Sequence, residues 1–526
     1  MSADTTVLVV GAGPTGLLLA SELLRRNVDC RVIDAHATPL HWDRATVVHP
    51  RSLELFDGLG LVRPLLTAGV KQRVARVHSQ GDVLGEIDLS TCGSRYGFNI
   101  GISEEVVESI LTEYLHRQRG TVIRSSSLVE LIDHGDRLLA TIERDGTSEQ
   151  ISAQWVVGCD GFHSTSRTLS GIDMIGHDII QPWAVFDATL IGWQASYEAN
   201  YVYLDEIPVI LTALPGQKWR VYLRPPSVGS DLVADAASTI SDYLPTIRFE
   251  GVTDAARFLC QTKVATRFRS GRVLLAGDAA HVCSPAQGHG MNSGLQDAIN
   301  LAWKLALVCH GYCNPVLLDS YEAERRPVAE TITASGDAVE LAQGVTDPAE
   351  RRARDEALRA VFADPKLRHH EAVAEAELDI DYGQSPIVMG ARHAALAPGQ
   401  RLPDTIEVHL AHGAACMLHE LGNRTGHTAL LIGGPSVQTE VLARVDTLMR
   451  AQSHVSVVID EIVVIGTGAG AQGPYAWITP TAAGQLGITE ITLFVIRPDG
   501  HVGLRSERNL IDDFTAYQRL LVSGRT

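Results

Sequence analysis

Three aspartates stand at the same kind of place, after a short apolar run and beside a glycine turn or helix start. Asp34 follows Cys30 to Ile33, Asp160 follows Trp155-Val-Val-Gly158-Cys159, and Asp278 follows Val273 to Gly277. A carboxylate at the carboxyl end of a buried strand sits where open α/β sheets bind ligands, and it can accept hydrogen bonds from sugar-like hydroxyls. The first is preceded by Gly11-Ala-Gly13-Pro14-Thr15-Gly16, set between the apolar run Thr6 to Val10 and the helical pattern Leu17 to Leu24. Strand, glycine turn and helix in that order, with an acidic residue ~20 positions on, are the context in which such a turn reads as a dinucleotide site. A control stands in the same chain: Gly468-Ala-Gly470-Ala-Gln-Gly473 has the spacing but runs into Pro474 and Tyr475-Ala-Trp477, and reads as a loop.

Asp160-Gly161 is followed by Ser164 and Arg167, and Asp278 by a loop holding Pro285, Gly288, Gly290, Met291 and Asn292. Glycine lets backbone pass close to a flat ligand. The spacing predicts a long helix from near Asn292, with Ser293 and Gln296 as a capping box, so that the positive end of its dipole faces the loop. An anion or an electron-rich ring suits that end. Arg44 has a planar fork suited to a diphosphate, or is a surface arginine. Further on, Tyr201 and Tyr203 share a face of one extended run, and Lys218, Arg220, Tyr222 and Arg224 a face of another. Such rows line a flat ligand or form the solvated face of a hairpin. A group that takes a proton from a ligand hydroxyl would be sought among His49, Arg220 and Tyr222. No Ser-His-Asp order fits, because Ser164 stands in Gly161-Phe-His-Ser-Thr and not in a nucleophile elbow.

The elements that must position these groups call for more than one core, since 526 residues exceed what a single core supports. The net charge, 44 − 62 = −18, argues against nucleic acid or an anionic membrane as main partner. No leader pattern opens the chain and no apolar run approaches the ~18 residues of a membrane span, so the cytoplasm is expected. The eight cysteines form no paired framework, and Cys309 and Cys313 beside His310 lack a second cluster, so neither disulfides nor a metal is expected.

Taken together and in this order, Gly11/Gly13/Gly16 with Asp34, Asp160-Gly161 with Ser164 and Arg167, and Gly277-Asp278 with the Pro285-to-Asn292 loop resemble the three motifs of the class A flavoprotein monooxygenases. These are the single-component aromatic hydroxylases typified by para-hydroxybenzoate hydroxylase and phenol hydroxylase, and the match covers roughly the first two thirds of the chain. The resemblance implies an α/β fold: a Rossmann-like FAD-binding domain (1–175 and 267–394, the latter including a helical connector), an inserted antiparallel-sheet substrate domain (176–266) and a thioredoxin-like C-terminal domain (395–526). That last domain has no C-x-x-C, only Cys416, and reads as structural or as forming a homodimer.

The resemblance also implies FAD as cofactor, NADH or NADPH as electron donor, and O2 and a small aromatic substrate as partners, with hydroxylation through a flavin hydroperoxide. Gly11, Gly13, Pro14, Thr15, Gly16, Asp34, Arg44, Glu104, Leu128, Asp160 and Asp278 would hold FAD. Pro285, Gly288, Gly290, Met291 and Asn292 would border its ring, with Pro285 shaping the pocket. Two departures stand out: Glu104 replaces a usual Gln, and Gln287 and His289 stand where Gly and Gln are common. Baeyer-Villiger insertion or epoxidation on a polyketide-like substrate, a flavin reductase without oxygen transfer, and a scaffold that has lost its chemistry are the rival readings.

Overall fold

The computed structural model describes residues 4–39, 45–453, 457–468 and 475–523. Arg44 lies outside the described residues, as do Gly470 and Gly473 of the control motif. The chain forms two compact units: Met1–Leu18, Arg31–Gln296 and Ala329–Leu378 in one, Leu19–Cys30, Asp297–Val328 and Asp379–Thr526 in the other.

The first unit is organised by a sheet whose central path runs Arg269–Ser270, Val273–Leu275, Thr147–Gly158, Thr5–Val10, Cys30–Ile33, Val122–Ile123. Val7 to Val10 are all buried, as a strand covered on both faces requires. Three of these strands are parallel and end level: Val10 pairs with Gly158, and Gly158 with Leu275. The turns beginning at Gly11, Cys159 and Ala276 therefore leave the sheet at one edge. Gly11 N donates to Ile33 O at 2.8 Å, which brings the end of the Cys30–Ile33 strand to the same place.

A second sheet in this unit has the order Arg248–Phe258, Trp183–Ile191, Lys218–Leu223, Val209–Leu214, Ala199–Tyr203, Val74–Ser79, Asp82–Asp88. The stretch 180 to 266 reads as strands throughout, yet Leu232–Ser241 is a helix, capped by Asp231, whose carboxylate accepts from Val233 N and Ala234 N. Ala236 and Ile240 of that helix pack on one sheet face with Phe186, Trp219, Val221, Tyr201 and Tyr203. The two tyrosines, read as lining a flat ligand or a solvated hairpin face, instead belong to this core. Strand alternation turns their neighbours Asn200 and Val202, with Arg220 and Tyr222 of the Lys218–Leu223 strand, to the other face.

In the second unit the mixed sheet runs Ala415–Met417, Glu407–His409, Ala476–Ile478, Ile459–Thr467, His427–Ile432, Thr492–Ile496, Val502–Ser506. Its interior also holds charge. Glu324 accepts from both Arg497 Nη1 and Nη2 at 2.7 Å and from Lys304 Nζ at 2.7 Å, and Arg497 also pairs with Asp499. The helical connector expected to reach about 394 ends at Glu375, the close of the last helix Pro365–Glu375. Beyond it Pro386 and the left-handed Gly390 (φ +114°) suit an irregular chain. Among the described residues no helix is long and apolar enough to cross a membrane.

Candidate active site

The glycine turn after Val10 divides its glycines by task. Gly11 has φ +101°, and a Cβ there would meet Cys159 O at 2.2 Å; one on Gly16 would meet Gly11 O at 2.0 Å. These two let three backbone segments touch. At Gly13, among the described residues only Glu108 Oε1, at 3.8 Å, lies within 4 Å of an added Cβ. Pro14 and Thr15 open the helix Pro14–Arg25 there, so its free N–H groups border ligand space rather than protein.

Asp34 stands at the same edge, just after the Cys30–Ile33 strand. Its Oδ2 accepts from Ala12 N at 2.7 Å, and its Oδ1 accepts from His36 N at 2.8 Å and faces Arg124 at 3.5 Å. Next to it runs the helix Glu104–Arg117, capped by Ser103. Glu104 Oε2 accepts from Ala45 N at 3.3 Å, so the departure from Gln keeps an acceptor role. Leu128 packs its side chain into the core with Val10 and Ile33. Burial, and then the charge of Glu104, push the Glu108 carboxyl up to about 8. A folded-state value above the ordinary 4.5 means that its contribution to stability is present below pH 4.5 and is lost as pH rises through about 8. Glu108→Gln is therefore expected to match the parent near pH 4.5 and to exceed it by ~1–2 kcal/mol at pH 8, a figure discounted for partial exposure. Thermal melts at the two pH values test this, and equal melting at pH 8 would refute it.

The second aspartate is engaged locally. Asp160 accepts from Ser164 Oγ at 2.5 Å and from Ser166 N at 2.9 Å. Arg167 donates to Phe162 O at 2.7 Å and to Ala279 O at 3.0 Å. This motif thus braces its own turn and ties it to the third. In the third, Gly277 is left-handed (φ +62°) and abuts Thr15, as does Gly294; a Cβ would lie 2.7 Å or 2.3 Å from Thr15 Oγ1. Asp278 is exposed between buried neighbours, so its carboxylate faces the open edge.

The loop after it forms a short turn, Pro285–Gln287, capped by Ser284, whose Oγ accepts from Ala286 N at 3.2 Å, and then a left-handed Gly288 (φ +72°). The long helix begins at His289, three residues before the expected Asn292, so Ser293 and Gln296 lie inside it and form no capping box. Gln296 Nε2 instead donates to Glu377 Oε2. Asn292 is buried and fully engaged: it accepts from His49 N at 2.9 Å and Ser52 Oγ at 2.8 Å, and donates to Val47 O and Gly288 O at 2.9 Å. Met291 is buried beside it, and among the described residues Gly290 has only Cys283 Sγ, at 3.9 Å, within 4 Å of an added Cβ. Both departures in the loop have partners. Gln287 accepts from Ser335 Oγ at 3.0 Å, and His289 Nδ1 lies 2.7 Å from Glu377 Oε1, its ring stacked on His49 at 5.0 Å. His49 itself, at 0% exposure, sits with Nε2 3.2 Å from Gly288 O. His49, His289 and Glu377 converge as a metal trio would, but 2.7 Å is a hydrogen-bond distance, shorter than the ~3.3 Å between two ligands of one tetrahedral zinc.

Facing the loop is the second sheet. Val185, Ile210 and Tyr222, in register across three strands, cluster with Trp183, Phe258, Cys260 and, from the loop, Ala286. Tyr222 Oη lies 3.0 Å from Thr46 Oγ1. Arg220, two pairs along and on the same face, forms a buried bidentate pair with Asp187. Asp187, Thr46, Glu377 and Glu340 carry no motif, and sequence reasoning passes over all four.

This edge fits a flavin dinucleotide: a glycine left clear at a helix N-terminus for the pyrophosphate, one carboxylate on the ribose side and a second facing the open edge. The chain belongs to the FAD binding domain family, which matches residues 4–335. It is an FAD-dependent monooxygenase of the aromatic-hydroxylase kind. Over 439 residues it is 34% identical to 6-methylpretetramide 4-monooxygenase of Streptomyces rimosus, covering 81% of this chain and 76% of that one. Over 350 residues it is 33% identical to pentachlorophenol 4-monooxygenase of Sphingobium chlorophenolicum, covering 63% of each. Among solved structures, OxyS anhydrotetracycline hydroxylase from Streptomyces rimosus superposes with a TM-score of 0.76 at 26% identity, over 98% of this chain and 99% of that one.

Proposed function

We propose that the chain hydroxylates a phenolic ring, on a simple phenol or on a polycyclic polyketide, beside the Val185–Ile210–Tyr222 face where the Pro285 turn meets it. That buried, largely apolar face opposite the Pro285 turn is the observation that carries the reading, because it excludes water from the reacting ring. When bound, FAD supplies the oxygen activation that no side chain can provide. NADH or NADPH gives two electrons; one oxygen atom enters the ring and the other leaves as water.

The residues then divide as follows. Gly11, Gly13, Pro14, Thr15 and Gly16 shape the pyrophosphate bed, with Arg44 as its cation; Asp34 takes the ribose and Asp278 the ribityl chain. Asp160 acts through the turn it braces, and Leu128, its side chain in the core, meets the adenine with its backbone. The Tyr222 hydroxyl, paired with Thr46, is placed to pass the phenolic proton. Arg220 cannot take that proton, since a guanidinium stays protonated, and its pair with Asp187 orients donors along the face. His49 supports Gly288 rather than touching substrate. The need for NAD(P)H supports a cytoplasmic enzyme, and residues 395–526 are read as a separate thioredoxin-like domain joining two copies.

Flavin absorbance of the purified protein, followed by NADH or NADPH oxidation with a panel of phenols, tests the reading. Flavin bands and a phenol-stimulated rate with label from heavy O2 in the product are expected. Reduction without label would favour a reductase, and a protein that takes up no FAD would overturn the reading.

A further inference from the structure

The helix Asp319–Gln343 ends in a buried carboxylate that none of these roles uses. Glu340 is 8% exposed. Its Oε1 accepts from Trp183 Nε1 at 2.9 Å and from Ser284 Oγ, and its Oε2 pairs with Arg224. Trp183 opens one strand of the substrate sheet and Arg224 follows another; Ser284 caps the Pro285 turn. One carboxylate thus joins the two walls of the proposed pocket. The same helix grips the turn again through Ser335 and Gln287, and Gly336 lies close under Ser284, where a Cβ would be 3.5 Å from the serine Cβ.

We propose that Glu340 is a positioning residue that sets the Pro285 turn against the substrate sheet. The proposal rests on reading that turn as the flavin border. A three-residue turn has little stability of its own. A buried carboxylate, by contrast, must keep its donors, because leaving one charge uncompensated is strongly destabilising. Trp183, Ser284 and Arg224 therefore hold a single arrangement together.

Hydrogen exchange of the FAD-loaded protein, read by mass spectrometry over residues 284–288, tests this without any substrate. Glu340→Gln and Ser284→Ala are each expected to speed exchange of the Gly288 amide, which donates to Pro285 O across the turn, about tenfold, as a locally released turn would. The flavin-to-protein ratio should stay unchanged, and Ser284→Thr, which keeps the hydroxyl, should exchange as the parent does. The double variant Glu340→Gln/Ser284→Ala should exchange Gly288 no faster than Ser284→Ala alone, which already lacks the Ser284–Glu340 link that the amide only weakens. With phenols that stimulate NAD(P)H oxidation, the share of oxidised donor appearing as hydrogen peroxide should rise. Parent-like exchange in both single variants, or effects that multiply in the double variant, would overturn the proposal. Should Glu340→Gln fail to fold, Ser284→Ala and Trp183→Phe each remove one donor and carry the same comparison. A protein without flavin or phenol-dependent turnover would instead count against the functional reading.

Discussion

Replacing Gly13 with alanine is expected to give a protein that folds as the parent apoprotein does but purifies without flavin. An added Cβ at Gly13 has only Glu108 Oε1, at 3.8 Å, within 4 Å among the described residues, an ordinary contact. The methyl group would instead occupy the space over the helix N-terminus where the pyrophosphate must come close. The parent should gain about 2.7 kcal/mol from FAD at a hundred times its dissociation constant, and the variant should lose that gain. Melting curves with and without added FAD, beside the flavin absorbance ratio, measure both effects. Gly11→Ala is the contrasting case. There the Cβ would meet Cys159 O at 2.2 Å, so apoprotein stability itself should fall. A Gly13→Ala protein as yellow as the parent would show that the dinucleotide does not lie over this turn.

Glu324→Ala is expected to destabilise the second unit by ~3–5 kcal/mol, because it strands Lys304, at 0% exposure, without its anion and leaves the equally buried Arg497 with Asp499 alone. For a unit of this size that is a fall in melting temperature of roughly 6–20 °C. Lys304→Met, which leaves the Glu324–Arg497 pair intact, should cost far less. Burial opposes the charge on Glu324, yet Arg497 and Lys304 hold its carboxyl at about 2, below the ordinary 4.5. Its contribution to stability is therefore complete above pH 4.5 and lost as pH falls from there toward 2. Calorimetry across that window should show the second unit melting earlier in the parent, and a flat profile in Glu324→Ala. A variant melting within two degrees or so of the parent at pH 7 would show the network to be dispensable.

What could be read from the sequence is what the chain encodes locally. The strands ending at Val10, Gly158 and Leu275, and the turns that follow them, carry their own apolar runs and glycines, so the edge at which they assemble was visible in advance. Asp34 was legible for the same reason. Groups that meet across long stretches of sequence were not. Asp187 with Arg220, Thr46 with Tyr222, and His289 with Glu377 are paired by tertiary packing, and no spacing announces them. The helix start was missed because Gly288 and Gly290 on either side of His289 look like breakers, whereas Gly288 alone makes the turn and helix propensity yields at Gly290 to the packing of the loop. The helix Leu232–Ser241 was hidden among strands because its ten residues are too few to impose a clear period.

The level ends of three parallel strands have a consequence for how the molecule is made. Thr5–Val10 pairs with Thr147–Gly158, and that strand with Val273–Leu275, so the nucleotide edge does not exist until the third has left the ribosome. At ~5–20 residues per second, the first strand waits roughly seven to thirty seconds for Thr147–Gly158, and the edge waits roughly six to twenty more for Val273–Leu275. Until Thr147–Gly158 arrives, Val7-Leu-Val-Val10 has Cys30–Ile33 on one side and no partner on the other, and until Val273–Leu275 arrives FAD has no completed bed to bind. Flavin can therefore stabilise the finished unit but cannot template its early folding, and the yield of active protein should depend more on what shields the nascent amino terminus than on the supply of cofactor.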